Sequence, residues 1–302
     1  MKMIFVGQGP FGEKVLERLQ QNREDVRAVF CPKGRAGEAI KGLAEDAGLA
    51  LYQPDHLKDP EVLETFRRLA PDLVILAFVT DILPEALLDV PVLGTICYHP
   101  SLLPRHRGAS AINWAIIQGD TRTGLTVLWA DTGIDTGPIL LQKEVPIDPR
   151  DTTGSLYFQK LFPLGVEAML EAVELIKQGR APRQVQDETQ ASYEPPCDDR
   201  VAGIEWSQPG ETVFNLVRGC DPQPGAYSFC RGQKIRFYGA QLVSETLERP
   251  PGEILDVRPE GLRVSLTDGM LHIGKMRGPD TGKLEAFAFA REAQLQAGMR
   301  FG

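Results

Sequence analysis

The chain has 302 residues, a net charge of −8, 42% hydrophobic and 25% charged residues, which is the balance of a soluble globular protein with one large domain or two ordinary ones. So acidic a chain is a poor partner for a polyanion, because neutralising phosphates supplies much of nucleic-acid affinity. The five cysteines (Cys31, Cys97, Cys197, Cys220, Cys230) are scattered, odd in number and lack C-x-x-C spacing, which argues against a disulfide framework or a zinc site and fits a reducing cytoplasm.

Residues 2–7 read as a buried strand; the run is too short for a signal peptide and leads straight into glycines. No stretch approaches the ~20 apolar residues of a membrane span. Gly9-Pro10-Phe11-Gly12 turns into an amphipathic helix with Val15, Leu16 and Leu19 on one face. A second strand follows at Val26–Phe30, then helices at 37–47 and 60–69. The run 73–78 is short and apolar throughout, which suits a strand buried on both faces of a parallel sheet. The next strand, 94–98, delivers His99. Strands alternating with helices predict a doubly wound, mostly parallel α/β domain. In such sheets ligands sit at the carboxyl ends of the strands, where His99 falls.

Residues 110–118 read as a helix stopped by Gly119-Asp120, and 124–129 as a strand ending at the loop 131–137. A further strand covers 139–145, and a long helical stretch covers 152–178, which Pro163 must bend or break. From 179 to 199 the chain is polar, holds Pro182, Pro195 and Pro196, and shows little periodicity; it reads as a linker over the domain surface. From about Gly203 comes a smaller unit: a helix near 211–219, then short strands at 226–229, 234–238, 252–257, 262–266 and 270–274. Short strands with Gly-rich turns suggest a small open β-barrel. The expected domains are 1–202, with a linker at about 179–202, and 203–302.

Gly7-Gln8-Gly9-Pro10-Phe11-Gly12 fits G-x-G-x-x-G between a strand and a helix, the pattern of a dinucleotide site. The second strand, however, ends in Val29-Phe30-Cys31-Pro32 with no carboxylate for ribose hydroxyls, and Pro10 removes a donor from any phosphate cradle. A plain tight turn is the expected reading.

Two segments carry chemistry. One is Tyr98-His99-Pro100-Ser101-Leu102-Leu103-Pro104-Arg105-His106-Arg107-Gly108-Ala109, where an imidazole follows an apolar run and precedes a stiff turn. The other is Asp131-Thr132-Gly133-Ile134-Asp135-Thr136-Gly137, where an aspartate stands between glycines that let backbone approach a ligand. A His and an Asp on separate rigid loops can form an acid–base pair. Residue by residue, ordinary structure competes evenly: His99 as a satisfied strand-end histidine, Asp135 as turn chemistry.

The runs HPSLLPRHRGASAINW and WADTGIDTG together resemble the folate-dependent formyltransferase family, most nearly the N-terminal hydrolase domain of 10-formyltetrahydrofolate dehydrogenase, with methionyl-tRNA formyltransferase a relation. The likeness covers essentially the whole chain and weakens after about Gly203. It implies a Rossmann-like formyltransferase sheet followed by an oligonucleotide-binding-like barrel, His99 and Asp135 as catalytic residues, and 10-formyltetrahydrofolate as formyl donor. A formyl group on a folate nitrogen is an amide, so attack on its carbon needs a donor for the oxyanion, a base for the nucleophile and an acid for the leaving nitrogen. The family's pterin pocket maps onto Phe78, Val79, Ile82 and Leu83, and onto Ala130, Asp131, Thr132, Gly133 and Ile134. Arg105 and Arg107 orient the site or clamp their own turn. Ser110 and Asn113 are weaker candidates.

Transferases of the family mostly place an asparagine two residues before the histidine; this chain has Cys97, a weak donor and a neighbour of the formyl site. That favours water as acceptor, giving formate and tetrahydrofolate. The alternatives are a small amine and methionyl-tRNA. The tRNA reading is disfavoured, because the segment 31–41 is short and only mildly basic where the tRNA enzyme carries a longer basic insertion. The full dehydrogenase needs carrier and aldehyde-dehydrogenase domains that this chain is not long enough to hold, so no NADP requirement is expected, nor a metal, nor a membrane partner. A cytoplasmic location is expected; the oligomeric state is not legible.

Overall fold

Every residue of β1 (Met3–Gly7) and of β4 (Leu73–Ala77) is buried. Successive side chains of a strand point to opposite faces, and here both faces are covered. Met3, Phe5, Leu73, Ile75 and Ala77 enter one apolar cluster, while Ile4, Val6, Val74 and Leu76 enter another. In the computed structural model, which describes residues 1–245 and 248–302, these strands are the centre of a seven-stranded sheet of order β3-β2-β1-β4-β5-β6-β7.

The remaining elements of this first unit alternate around that centre. They are α1 (Gly9–Gln21), β2 (Val26–Phe30), α2 (Glu38–Asp46), β3 (Ala50–Tyr52), α3 (Pro60–Leu69), α4 (Glu85–Leu88) and β5 (Gly94–His99). The chain then passes through α5 (Ala111–Ile117), β6 (Arg122–Trp129), β7 (Ile139–Pro146), α6 (Thr153–Ser155) and α7 (Phe162–Lys177). Strands β1 to β5 pair in parallel, and β6 runs antiparallel to β5, with His99 opposite Thr126. The α1 stripe of Phe11, Val15, Leu16 and Leu19 is fully buried against the sheet. β3 and α4 span three and four residues; periodicity cannot declare elements so short.

The helical stretch read over 152–178 is three pieces: α6, a π-helical segment at Leu156–Leu161, and α7. Pro163 stands in the first turn of α7, where a missing N–H leaves no intrahelical bond unmade. Gly165 is required by packing, since a Cβ there would come within 2.6 Å of the Tyr98 ring.

The polar segment after α7 is tied down by backbone bonds. Ile139 and Gln184 exchange N–H···O bonds of 2.8 and 3.0 Å, and the Arg107 N–H donates to the Ser192 carbonyl at 3.0 Å. These partners give the segment a fixed path that composition alone does not disclose.

The chain divides by compactness into two units. The first comprises Met1–Ala109, Thr123–Val145 and Phe158–Glu194; the second comprises Ser110–Arg122, Pro146–Tyr157 and Pro195–Gly302. The second unit holds α5, α6, α8 (Gly210–Gly219), β8 (Ala226–Cys230), β9 (Gln233–Val243), β10 (Ile254–Arg258), β11 (Gly261–Ser265), β12 (Met270–Arg277), β13 (Leu284–Glu285) and α9 (Ala286–Glu292). Its strands form an antiparallel ladder β10-β11-β12-β9-β8, with β13 on β12. Among the described residues no pairing joins the end strands β8 and β10. β9 continues past the expected 234–238, its ladder to β12 running from Arg236 to Val243 on both sides of Gly239, which sits at φ 62°. Trp206, Phe237, Leu262, Leu271, Phe289 and Phe301 centre the core of this unit. No described helix is long and apolar enough to cross a membrane.

Candidate active site

β5 carries His99 to the carboxyl edge of the sheet, and the turn after it is bolted to the neighbouring strands. Thr126 Oγ1 donates to the Ser101 carbonyl at 2.7 Å and accepts the Leu103 N–H at 3.2 Å. Gln142 Nε2 donates to the Leu103 carbonyl at 2.9 Å. Ser101 Oγ donates to the Arg105 carbonyl at 2.7 Å. The chain therefore returns over His99, whose Nε2 meets the His106 carbonyl at 2.8 Å. His106 has φ 56°. Its N–H donates to Ser192 Oγ at 2.8 Å, and its Nδ1 lies 3.2 Å from Glu194 Oε1. The Ser192 hydroxyl donates onward to Glu194 at 2.9 Å.

The second segment is shaped by its own side chains. Asp131 Oδ1 accepts the Gly133 N–H at 3.0 Å and the Thr136 hydroxyl at 2.7 Å. A Cβ on Gly137 would lie 1.7 Å from the Trp129 carbonyl oxygen, so no other residue fits there. Asp135 sits at φ 57°, a conformation aspartate tolerates better than most residues. Gln186 Nε2 holds this loop by donating to the carbonyls of Asp135 and Gly137 at 2.8 and 2.7 Å. Arg107 in turn donates to Gln186 Oε1 at 2.8 Å and to Glu188 at 2.7 and 2.9 Å.

The two segments meet at Asp135 Oδ2, which accepts the Gly108 N–H at 2.8 Å and lies 3.4 Å from His99 Nδ1. A carbonyl can only accept, so the proton on Nε2 is fixed by His106. The neutral ring then turns a lone pair at Nδ1 toward the carboxylate. Two acceptors face each other across a gap that one proton would bridge. Burial pulls the His99 imidazolium below the usual histidine range, opposed by the Asp135 charge and the His106 carbonyl. Burial, reinforced by Asp135, pushes the Cys97 thiol up to about 12.

His99 and Asp135 open onto a cleft of about 340 Å³, within the size range of small-ligand sites. Its wall includes Cys97, Phe78, Val79, Ile82, Leu83, Ala130, Asp131, Gly133 and Ile134. Thr132, expected there too, is not on the wall. Phe78, Ile82 and Ile134 are 44%, 62% and 41% exposed; bulky apolar side chains left open around one cleft mark a place for a ligand.

Other expected residues lie elsewhere. Arg105 is exposed and off the cleft wall, and the Arg107 guanidinium is buried against Gln186 and Glu188. Ser110 and Asn113 belong to the second unit, where Ser110 Oγ accepts the Cys197 N–H at 2.9 Å and Asn113 donates to the Gly219 carbonyl at 2.8 Å. In the first β–α turn the amides of Gln8 and Gly9 already donate to the carbonyls of Ala77 and Ala36. A Cβ on Gly7 would meet the Phe5 ring at 2.6 Å, so its glycine answers to packing. Among the described residues no three His, Cys, Asp or Glu side chains group as metal ligands. Gln186, Ser192 and Glu194 carry no sequence signal: each is a polar residue in a polar stretch without a motif.

The formyl transferase profile matches residues 1–173, and that of the formyl transferase C-terminal domain matches 198–294. Mitochondrial 10-formyltetrahydrofolate dehydrogenase of Mus musculus is 43% identical over 265 residues, covering 85% of this chain. This chain spans 28% of the length of that protein and of its Homo sapiens counterpart. Methionyl-tRNA formyltransferase of Syntrophus aciditrophicus (strain SB) is 36% identical over 310 residues, covering 100% of this chain and 99% of its own. HypX from Aquifex aeolicus, solved with tetrahydrofolic acid, shares the fold with a TM-score of 0.70 at 23% identity, over 97% of this chain and 47% of that one.

Proposed function

This chain belongs to the formyl transferase family, folate-dependent enzymes of one-carbon chemistry, and we propose that it hydrolyses 10-formyltetrahydrofolate to formate and tetrahydrofolate with His99 and Asp135. The observation that carries this reading is Cys97 on the cleft wall beside the pair, a protonated thiol in place of a side-chain amide. A thiol donates weakly to a formyl oxygen, while Nδ1 and Oδ2, 3.4 Å apart, offer two acceptors to a single water.

The pterin packs against the apolar side chains of Phe78, Leu83 and Ile134 on the cleft wall, and the formyl carbon on the folate N10 turns toward the pair. The pair takes a proton from the water as its oxygen bonds to the formyl carbon. The tetrahedral adduct breaks at the carbon–nitrogen bond, and the same proton goes to the departing folate nitrogen. The Gly108 N–H and the Gln186 strap keep Asp135 in place throughout.

A second reading, formyl transfer to methionyl-tRNA, is favoured by the end-to-end match to the Syntrophus enzyme; a small amine would use the same cleft. The test is to incubate the purified chain with 10-formyltetrahydrofolate alone, then with candidate amines or initiator tRNA. Formate released without any amine supports hydrolysis. Turnover only in the presence of one acceptor replaces it with transfer.

A further inference from the structure

The second unit contains two cysteines whose sulfur atoms are 3.7 Å apart, Cys197 and Cys220. Cys220 caps the C-terminal end of α8 and is buried. Cys197 is half-buried in the segment ahead of the strands and lines an open cavity of about 540 Å³, beside Asp198, Arg200, Gln223 and Pro224. Both backbones are anchored: the Cys197 N–H on Ser110 Oγ at 2.9 Å, the Cys220 N–H on the Leu216 carbonyl at 3.0 Å. The sulfurs are already in contact, and a disulfide would bring them from 3.7 Å to ~2.05 Å.

We propose that Cys197 and Cys220 are a reversible dithiol–disulfide site whose oxidant is a small hydroperoxide entering the adjoining cavity. The residues differ in role. Cys197 reaches the wall of the cavity, whereas Cys220 is buried and off that wall, and its neighbour and burial push the Cys220 thiol well up. Cys197 is therefore the attacking thiolate. Its sulfur bonds to the distal peroxide oxygen as the O–O bond breaks, giving a Cys197 sulfenic acid and, from hydrogen peroxide, water. The Cys220 sulfur then displaces the sulfenic hydroxyl, and the thiol proton leaves with it as a second water. The sum is two thiols and one peroxide giving one disulfide and two waters. The remaining cysteines are protected: Cys31 and Cys230 are buried with raised thiol pKa values, and Cys97 is pushed to about 12.

The full-length wild-type chain is treated with hydrogen peroxide and digested without reductant. One cross-linked peptide pair is expected, joining Cys197 to Cys220, lighter by two hydrogen atoms and restored by dithiothreitol. The oxidised chain should melt at higher temperature, because the cross-link closes a 23-residue separation. Cys220→Ser should accumulate a Cys197 sulfenic acid trapped by a dimedone probe. Cys197 passing to sulfinic acid while Cys220 stays reduced would overturn the proposal, as would modification of Cys31, Cys97 or Cys230 ahead of Cys197. These outcomes do not depend on which formyl acceptor the first unit serves.

Discussion

His99 gives its Nε2 proton to the carbonyl of His106 at 2.8 Å and turns Nδ1 to Asp135 Oδ2 at 3.4 Å, so backbone geometry decides which nitrogen faces the carboxylate. The consequence is a shared acceptor site for one proton.

Asp135→Asn keeps the left-handed backbone, which asparagine tolerates, and removes the carboxylate. Turnover should fall about 10²–10⁴-fold, the usual range for a lost acid–base group. Folate binding by equilibrium titration should change only a few-fold. A variant as active as the parent would remove Asp135 from the reaction.

The pH dependence follows from burial. The His99 imidazolium is disfavoured, so its proton is lost below the usual value of ~6.5, and the acid limb of the rate profile should lie below that value. The sign for stability is the same. Between the two pKa values the unfolded chain binds the extra proton, so the contribution is complete above ~6.5 and is lost as pH falls through the window beneath it. Following the His99 ring by NMR checks both, with His99→Ala as the assignment control. In Asp135→Asn the opposing charge is gone, and the midpoint should move lower still.

With its thiol at about 12, Cys97 carries almost no thiolate at neutral pH. Cys97→Ala should keep turnover within about threefold, since a protonated thiol is not a nucleophile. Loss of activity on the scale of Asp135→Asn would show that the sulfur takes part directly.

Gln186→Ala leaves two loop carbonyls, those of Asp135 and Gly137, without their donor. Denaturant unfolding should register a loss of about 1–3 kcal/mol per unsatisfied buried group, somewhat less where water reaches in. Turnover should fall by about 10²-fold through misplacement of Asp135. Combined with Asp135→Asn, the catalytic loss should not add, which separates positioning from general instability.

Ile134→Ser and Ile82→Ser strip apolar wall from the cleft mouth. Each should raise KM about tenfold, from roughly 1.5 kcal/mol of lost burial, with kcat nearly unchanged. A fall in kcat at constant KM would place these side chains away from the folate.

The doubly wound fold was readable because β1 and β4 are apolar at every position, a pattern only a strand covered on both faces needs. His99 was readable as a strand-end imidazole, and Asp135 as an aspartate between glycines. Local sequence could not show that the two meet, nor that His106 chooses the proton-bearing nitrogen, nor that Gln186 straps the loop from 51 residues away. The short strand β3 and the partners of the polar segment after α7 were hidden for the same reason. Periodicity and turn chemistry are written in neighbouring residues, so the chain alone determined its layers and the two loops that carry His99 and Asp135. Hydrogen bonds between distant groups depend on where the packed core leaves each backbone, so tertiary structure alone decided which atoms face one another across the cleft.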